Sequence, residues 1–305
     1  MSSIAFSQAS YRAHTEHFAQ FERGGSLHAE LDQWFNFDNV CGWRHQRMYA
    51  SLDPLLKCAP GARWLTVGDG RCASDAQYIR SFGREVMATD ISPVLLREAK
   101  HRGLIDDFRV ENAESLSFAD DAFEFVLCKE SYHHFPRPMI ALYEMLRVAS
   151  VAVILIEPFD RFCESPLPER MWNGIKRFGR RMSGRSAPTP PRFQYETVGN
   201  FIYTISRREI EKVAAGMNLG PVAFRAMNDC FWEGMDRAKP IDGDPTYERA
   251  KHELRRLDLL CRLRIRQPRM LSAILFKAEI DAALRTQLIA AGFELPHRPP
   301  NPYLS

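Results

Sequence analysis

The most constraining feature of the chain is the alternation, from Arg63 to Ile156, of short apolar or β-branched runs with stretches of helical spacing. Arg63 to Val67 reads as a strand and Ala73 to Phe82 as the helix after it. Glu85 to Thr89 is a second strand. Asp90-Ile91-Ser92-Pro93 then opens a helix, with Ser92 as its N-cap and Pro93 in the first helical position. Phe108 to Val110 is a third strand, Phe123 to Cys128 a fourth and Pro136 to Val148 a helix. Val151 to Ile156 has the composition of a central strand buried on both faces. Strand and helix in such short order require right-handed crossovers and a parallel sheet.

The pattern breaks after Glu157-Pro158, where 160–203 is rich in proline and basic residues and shows no clean period. It resumes at Ser206-Arg207-Arg208-Glu209, a capping box that opens a helix through Met217. A strand at Val222 to Arg225, an Arg-rich helical segment at Tyr247 to Arg266, a last strand at Leu271 to Phe276 and a helix at Glu279 to Ala291 complete the chain. The expected organisation is a helical cap (1–60), a core (61–158), an inserted lid (159–205), the rest of the core (206–278), and a C-terminal helix and tail (279–305). An insertion of this length between core elements usually serves function, and 160–203 is expected over the carboxyl ends of the strands with the first 60 residues beside it.

Composition excludes several classes. At 305 residues, 45% hydrophobic and 26% charged, the chain can bury a large core. The formal charge of +3 is too small to imply nucleic acid by itself. Seven cysteines without a CxxC pair suit reduced thiols rather than a disulfide framework or structural zinc. The longest apolar run, Val148 to Ile156, is far short of a membrane span, and no basic-then-apolar leader opens the chain. A cytoplasmic protein, monomeric or homodimeric, is expected.

Leu65-Thr66-Val67-Gly68-Asp69-Gly70-Arg71-Cys72 carries the chemistry. A strand ending in Gly-x-Gly lets a ligand approach the backbone without Cβ interference, and the following helix offers its N-terminal amides. Two glycines in a βα turn are ordinary. Asp90, ending the next strand 20 positions after Gly70, adds a carboxylate placed to accept hydrogen bonds from ribose hydroxyls.

With these motifs, the run from Arg63 to Glu157 resembles the core of a class I S-adenosylmethionine (SAM)-dependent methyltransferase of the ubiquinone-methyltransferase-like type. Gly68-Asp69-Gly70 is similar to the family's first motif, Asp90-Ile91-Ser92 to the second, and Glu111-Asn112-Ala113-Glu114-Ser115-Leu116-Ser117-Phe118 to the third. Asp120 to Val126 and Tyr132-His133-His134-Phe135-Pro136 are similar to the fourth strand and its exit. The resemblance implies an α/β, Rossmann-like, mostly parallel seven-stranded sheet with helices on both faces, plus helical cap insertions. It implies SAM as cofactor, held by Gly68, Asp69, Gly70, Asp90, Ile91, Asn112, Ala113 and Cys128. NAD is disfavoured because nothing resembles a hydride-transfer site. The chain departs from the family at Thr66, usually acidic, and at Cys72, usually glycine. Asp69 or a backbone carbonyl must then meet the methionine amino group.

Methyl transfer from a sulfonium needs alignment, exclusion of water and, for a hydroxyl acceptor, a base. His133 and His134 leave the fourth strand, and Glu157 ends the fifth on the same edge. An imidazole with a pKa of about 6.5 suits a base, and a carboxylate can orient it. Packing or capping would equally account for the His pair, and the same groups lack a paired metal-ligand motif, so no metal is expected. The insertion's Lys176, Arg177, Arg180, Arg181, Arg185 and Arg192, flanked by Trp172, Phe178, Phe193, Tyr195, Phe201 and Tyr203, suit an anionic acceptor or form a solvated basic face. The expected activity is methylation of a hydroxyl on a small molecule, such as a sugar or phosphorylated glycan. RNA methylation and SAM binding without catalysis are the alternatives.

Overall fold

The computed structural model describes residues 3–22, 24–183, 194–196, 200–299 and 301–303. Arg185, Arg192 and Phe193 of the basic insertion lie outside these, as do the side chains of Arg177 and Arg181. The chain opens with α1 (Ser3–Ala19), α2 (Leu31–Trp34), α3 (Val40–Tyr49) and α4 (Asp53–Cys58). The core follows as β1 (Arg63–Val67), α5 (Ser74–Ser81), β2 (Glu85–Asp90), α6 (Val94–His101), β3 (Asp107–Val110), β4 (Phe123–Lys129), α7 (Pro138–Val148) and β5 (Ala149–Pro158). Then come α8 (Leu167–Met182), α9 (Arg207–Gly216), β6 (Val222–Met227), α10 (Pro245–Arg262), β7 (Met270–Phe276) and α11 (Ala282–Ala290).

Seven strands form one sheet in the order β3-β2-β1-β4-β5-β7-β6. All pairs from β3 to β5 are parallel, and β7 runs antiparallel to both β5 and β6. The sheet is therefore Rossmann-like and mostly parallel, as the sequence implies. Strand order reverses between β1 and β4, which opens a crevice at their carboxyl ends. Alternation along the strands builds a core on each face. Trp64, Leu127 and Ile154 pack with α5, α6 and α11, whereas Leu65, Val126 and Val153 pack with α7 and α9. β5 buries six consecutive residues, Ala152 to Glu157, because layers cover both its faces.

Three local expectations change. In α9, Ser206 accepts from the Glu209 amide at 3.2 Å, but the Glu209 carboxylate binds the Tyr203 hydroxyl instead of reaching back, so half the capping box forms. α6 begins at Val94, with Pro93 at the N-cap and the Ser92 hydroxyl 3.5 Å from the Val94 amide. The segment 160–203, read as aperiodic, contains the 16-residue helix α8. Pro166 and Pro168 sit before and within the first turn of α8, where proline is tolerated, and Gly174 and Gly179 mask an otherwise helical pattern.

Ser206→Ala should lower unfolding free energy by about 1 kcal/mol, the usual value of an N-cap. Denaturant titration should show a lower midpoint at constant slope.

Candidate active site

The carboxyl ends of β1, β2 and β4 surround a cavity of about 500 Å³, roofed by α1 and α3. Gly68 takes φ +77°, and a Cβ there would lie 2.5 Å from Ser131 Cβ. A Cβ on Gly70 would lie 2.6 Å from Asp90 Oδ2, so the loop passes the carboxylate with no room for a side chain. Asp90 is buried and accepts from the Ser92 amide at 2.8 Å. Burial pushes its pKa up to about 6, against the pull of the Ser92, Gly70 and Ile91 amides.

Gly68, Asp69, Gly70, Asp90, Ile91, Asn112 and Ala113 all line this cavity, with His133 and His134. Asp69 is engaged: it accepts from Thr66 Oγ1 at 2.9 Å and from the Asp75 and Ala76 amides at 3.1 and 2.9 Å. Thr66 thus braces the loop's carboxylate, which caps α5. Cys72, where the family usually has glycine, takes φ +61°, a strain of about 1 kcal/mol for a non-glycine residue. Its buried side chain packs with Phe21 and Leu95, fixing the helical preface to the loop. Cys128 does not line the cavity, a correction to the sequence reading. Cys128 shares with Val126 the strand face that packs on the α7 side of the core, and β4, which runs one residue further than expected, gives way to Lys129, Glu130 and Ser131 as the wall.

Glu157 also lies beneath the cavity rather than in it, fully buried. Its Oε1 accepts from the Ser131 and Tyr132 amides, both at 2.9 Å, and Oε2 lies 2.6 Å from His133 Nδ1. Burial lowers the His133 pKa, but the Glu157 charge outweighs it and holds the ring above its ordinary value. His133 Nε2 has no partner among the described residues. His134 pairs with Glu196 and stacks on His133 with ring centroids 4.0 Å apart.

A polar network forms the opposite wall; the sequence offers Arg44 and His45 as residues closing over the cofactor and Asp229 as a further contact, whereas Lys129 and Asp75 carry no signal in it. Arg44 binds Asp229 at 2.7 Å and Glu130 at 3.2 Å, and Lys129, nearly inaccessible, lies 3.3 Å from Asp75. Burial alone would raise the Glu130 pKa, but Lys129, His45 and Arg44 hold it down at about 2. Glu130 takes φ +51°, and such strained non-glycine backbone clusters at functional sites. The pairing of these residues is not encoded locally, because they come from four distant stretches of chain. Among the described residues no cluster suits a metal ion.

A second cavity of about 800 Å³ shares His133, His134 and Glu196 with the first. Phe159, Phe201 and Tyr203 wall it beside Arg161, Arg208 and Lys212. Residues 194–203 close on the His pair where described: Asn200 bonds the His134 carbonyl and Ser10 Oγ, both at 2.7 Å.

Residues 65–156 match the methyltransferase domain family. That match spans the part of the chain that holds the glycine loop and the parallel strands β1 to β5, so this stretch is similar to a methyltransferase domain in sequence as well as in strand order. It is 29% identical over 189 residues to a demethylmenaquinone methyltransferase of Renibacterium salmoninarum, covering 59% of this chain and 79% of the relative. To a 2-methyl-6-phytyl-1,4-hydroquinone methyltransferase of Synechocystis it is 27% identical over 128 residues, covering 41% of this chain and 39% of the relative. A Thermotoga maritima structure, described as a SAM-dependent methyltransferase and possible histamine N-methyltransferase, superposes with a TM-score of 0.47 at 14% identity, covering 86% of this chain and 98% of its own. The cradle fits SAM: a glycine loop with no room for side chains, a buried carboxylate at the end of β2, and a cavity within the range of ligand pockets.

Glu157→Gln keeps an oxygen for the two amides but removes the charge facing His133. Burial is then opposed only by the charges of Glu130 and Glu196, and the His133 pKa should fall relative to the wild type, read by NMR titration of the ring.

Proposed function

We propose that the chain methylates a hydroxyl of a small molecule, with His133 as general base. The observation that carries this reading is the 2.6 Å His133–Glu157 pair, which leaves Nε2 free on the wall common to both cavities. Glu157 holds Nδ1 as the donor, so Nε2 is the nitrogen able to accept a proton. SAM supplies an electrophilic methyl group on its sulfonium. Gly68 and Gly70 give it backbone access, Asp90 accepts from the ribose hydroxyls, and Ile91, Asn112 and Ala113 flank the adenine. Asp69, occupied by Thr66 and the α5 amides, positions the loop, which leaves a backbone carbonyl for the methionine amino group. His134, paired with Glu196, holds the segment around residue 196 over the site as part of a lid that excludes water.

The second cavity suits the acceptor. Aromatic walls beside Arg161, Arg208 and Lys212 fit a ring with hydroxyls and an anionic group, such as a phosphorylated sugar. The names of the two quinone-type relatives favour a second reading, methylation of a ring carbon in a hydroxyaromatic acceptor. The same base serves both, since removing the hydroxyl proton makes either the oxygen or the adjacent carbon nucleophilic. Mass spectrometry and NMR of the methylated product separate the two.

Asp90→Ala should weaken SAM binding by about 1 to 3 kcal/mol in calorimetry. Because Asp90 binds as a carboxylate and its pKa is about 6, wild-type affinity should be flat above pH 7 and fall as pH drops through 6. Unchanged affinity in a folded Asp90→Ala protein would remove the ribose assignment.

His133→Ala should lower kcat by about 10²- to 10⁴-fold with SAM affinity nearly unchanged. The base must be neutral and its pKa is raised. The wild-type rate should therefore fall on the acid side with an apparent pKa above about 6.5. Full turnover by His133→Ala would leave the pair a structural device.

A further inference from the structure

Helix α8 presents an apolar stripe to solvent. Leu167, Met171, Ile175, Phe178 and Met182 recur at spacings of three and four, and Trp172 borders them. Their exposures run from 54% to 73%. Leu167 to Met182 extends about 22 Å along the axis. An apolar face of this continuity is rare on a soluble surface unless something binds it. The other side of the helix is basic: among the residues whose side chains are described, Arg170, Lys176 and Arg180 stand there, against a single acid, Glu169. That acid accepts from the Gln267 amide at 2.8 Å, tying the start of the helix to the body.

We infer that α8 is a membrane-surface anchor that lies in the interface of an anionic bilayer, stripe inward and cations among the headgroups. Both faces of the helix must be satisfied together, and this occupant does so. Nucleic acid would meet the cations but leave the stripe in water. A second copy would bury the stripe but set two cationic helices against each other. The helix is too short and too charged to cross a bilayer, and among the described residues no helix is long and apolar enough to do so. Gly174 and Gly179 lower its intrinsic helicity, which suits a helix that gains order at an interface. α8 begins four residues after Cys163, and Arg161, Phe162 and Cys163 wall the second cavity. Anchoring therefore sets that cavity near the headgroups. The inference stands apart from the roles of His133 and Asp90.

The test is co-sedimentation of the full chain with phosphatidylcholine vesicles, with and without phosphatidylglycerol, over a salt series. Binding should require phosphatidylglycerol and weaken as salt rises. Phe178→Ser should weaken it roughly tenfold or more. The double variant Lys176→Ala, Arg180→Ala should weaken it roughly thirtyfold. Both should keep wild-type SAM affinity and circular dichroism, which separates lost anchoring from lost folding. Absence of binding to the anionic vesicles overturns the inference, as does binding that neither variant reduces. A dimer in analytical ultracentrifugation that Phe178→Ser dissociates, without vesicle binding, overturns it in favour of a second copy.

Discussion

Parallel strands that stop at one edge leave a row of backbone amides in a water-poor crevice, and each must find an acceptor. Buried carboxylates supply them. Glu157 takes the Ser131 and Tyr132 amides, Asp69 takes those of Asp75 and Ala76, and Asp90 takes that of Ser92. The Glu111 carboxylate does the same for Ser117. Fixing the loops in this way concentrates negative charge at the edge where a ligand with hydroxyls and a sulfonium must sit. The site follows from solving the sheet's hydrogen-bonding problem with charged groups.

That choice has electrostatic consequences which the chain manages differently at each end of the crevice. Among the described residues no cation is bonded to Asp90, and burial raises its pKa to about 6, which makes it sensitive to mild acid. Glu130 meets Lys129, His45 and Arg44 and stays ionised. Glu157 faces the His133 imidazole, with Oε2 2.6 Å from Nδ1. At this edge burial raises the pKa of Asp90 beside the glycine loop, and the Glu157 charge raises that of His133 between the two cavities.

The N-terminal preface joins the site through side chains rather than backbone pairing. Tyr11 donates to Glu114 at 2.5 Å, and Arg44 bridges Asp229 and Glu130. Cys72 accepts a left-handed conformation and buries its side chain against Phe21 and Leu95. A glycine would relax the turn but give the preface nothing to pack on. The departure from the family pattern is therefore a docking contact as well as a local strain.

The sequence by itself determined the sheet, the glycine loop and the acid after β2. These depend on local periodicity, on a φ only glycine tolerates at Gly68, and on a fixed spacing along the chain, all of which adjacent residues encode. It also placed the His pair and Glu157 on one edge, because strand exits in a parallel sheet share an edge. Only the tertiary structure decided that Glu157 faces Nδ1 of His133, that Asp69 is consumed by a helix cap, and that Cys128 turns inward while Lys129 reaches Asp75. Those outcomes depend on where a strand ends to within one residue and on which buried charges meet across the chain, and period-2 alternation turns a one-residue difference into the opposite face. The stripe on α8 was written in the sequence at 167, 171, 175, 178 and 182. That it lies uncovered is a property of the fold, since the same spacing in α7 faces the core.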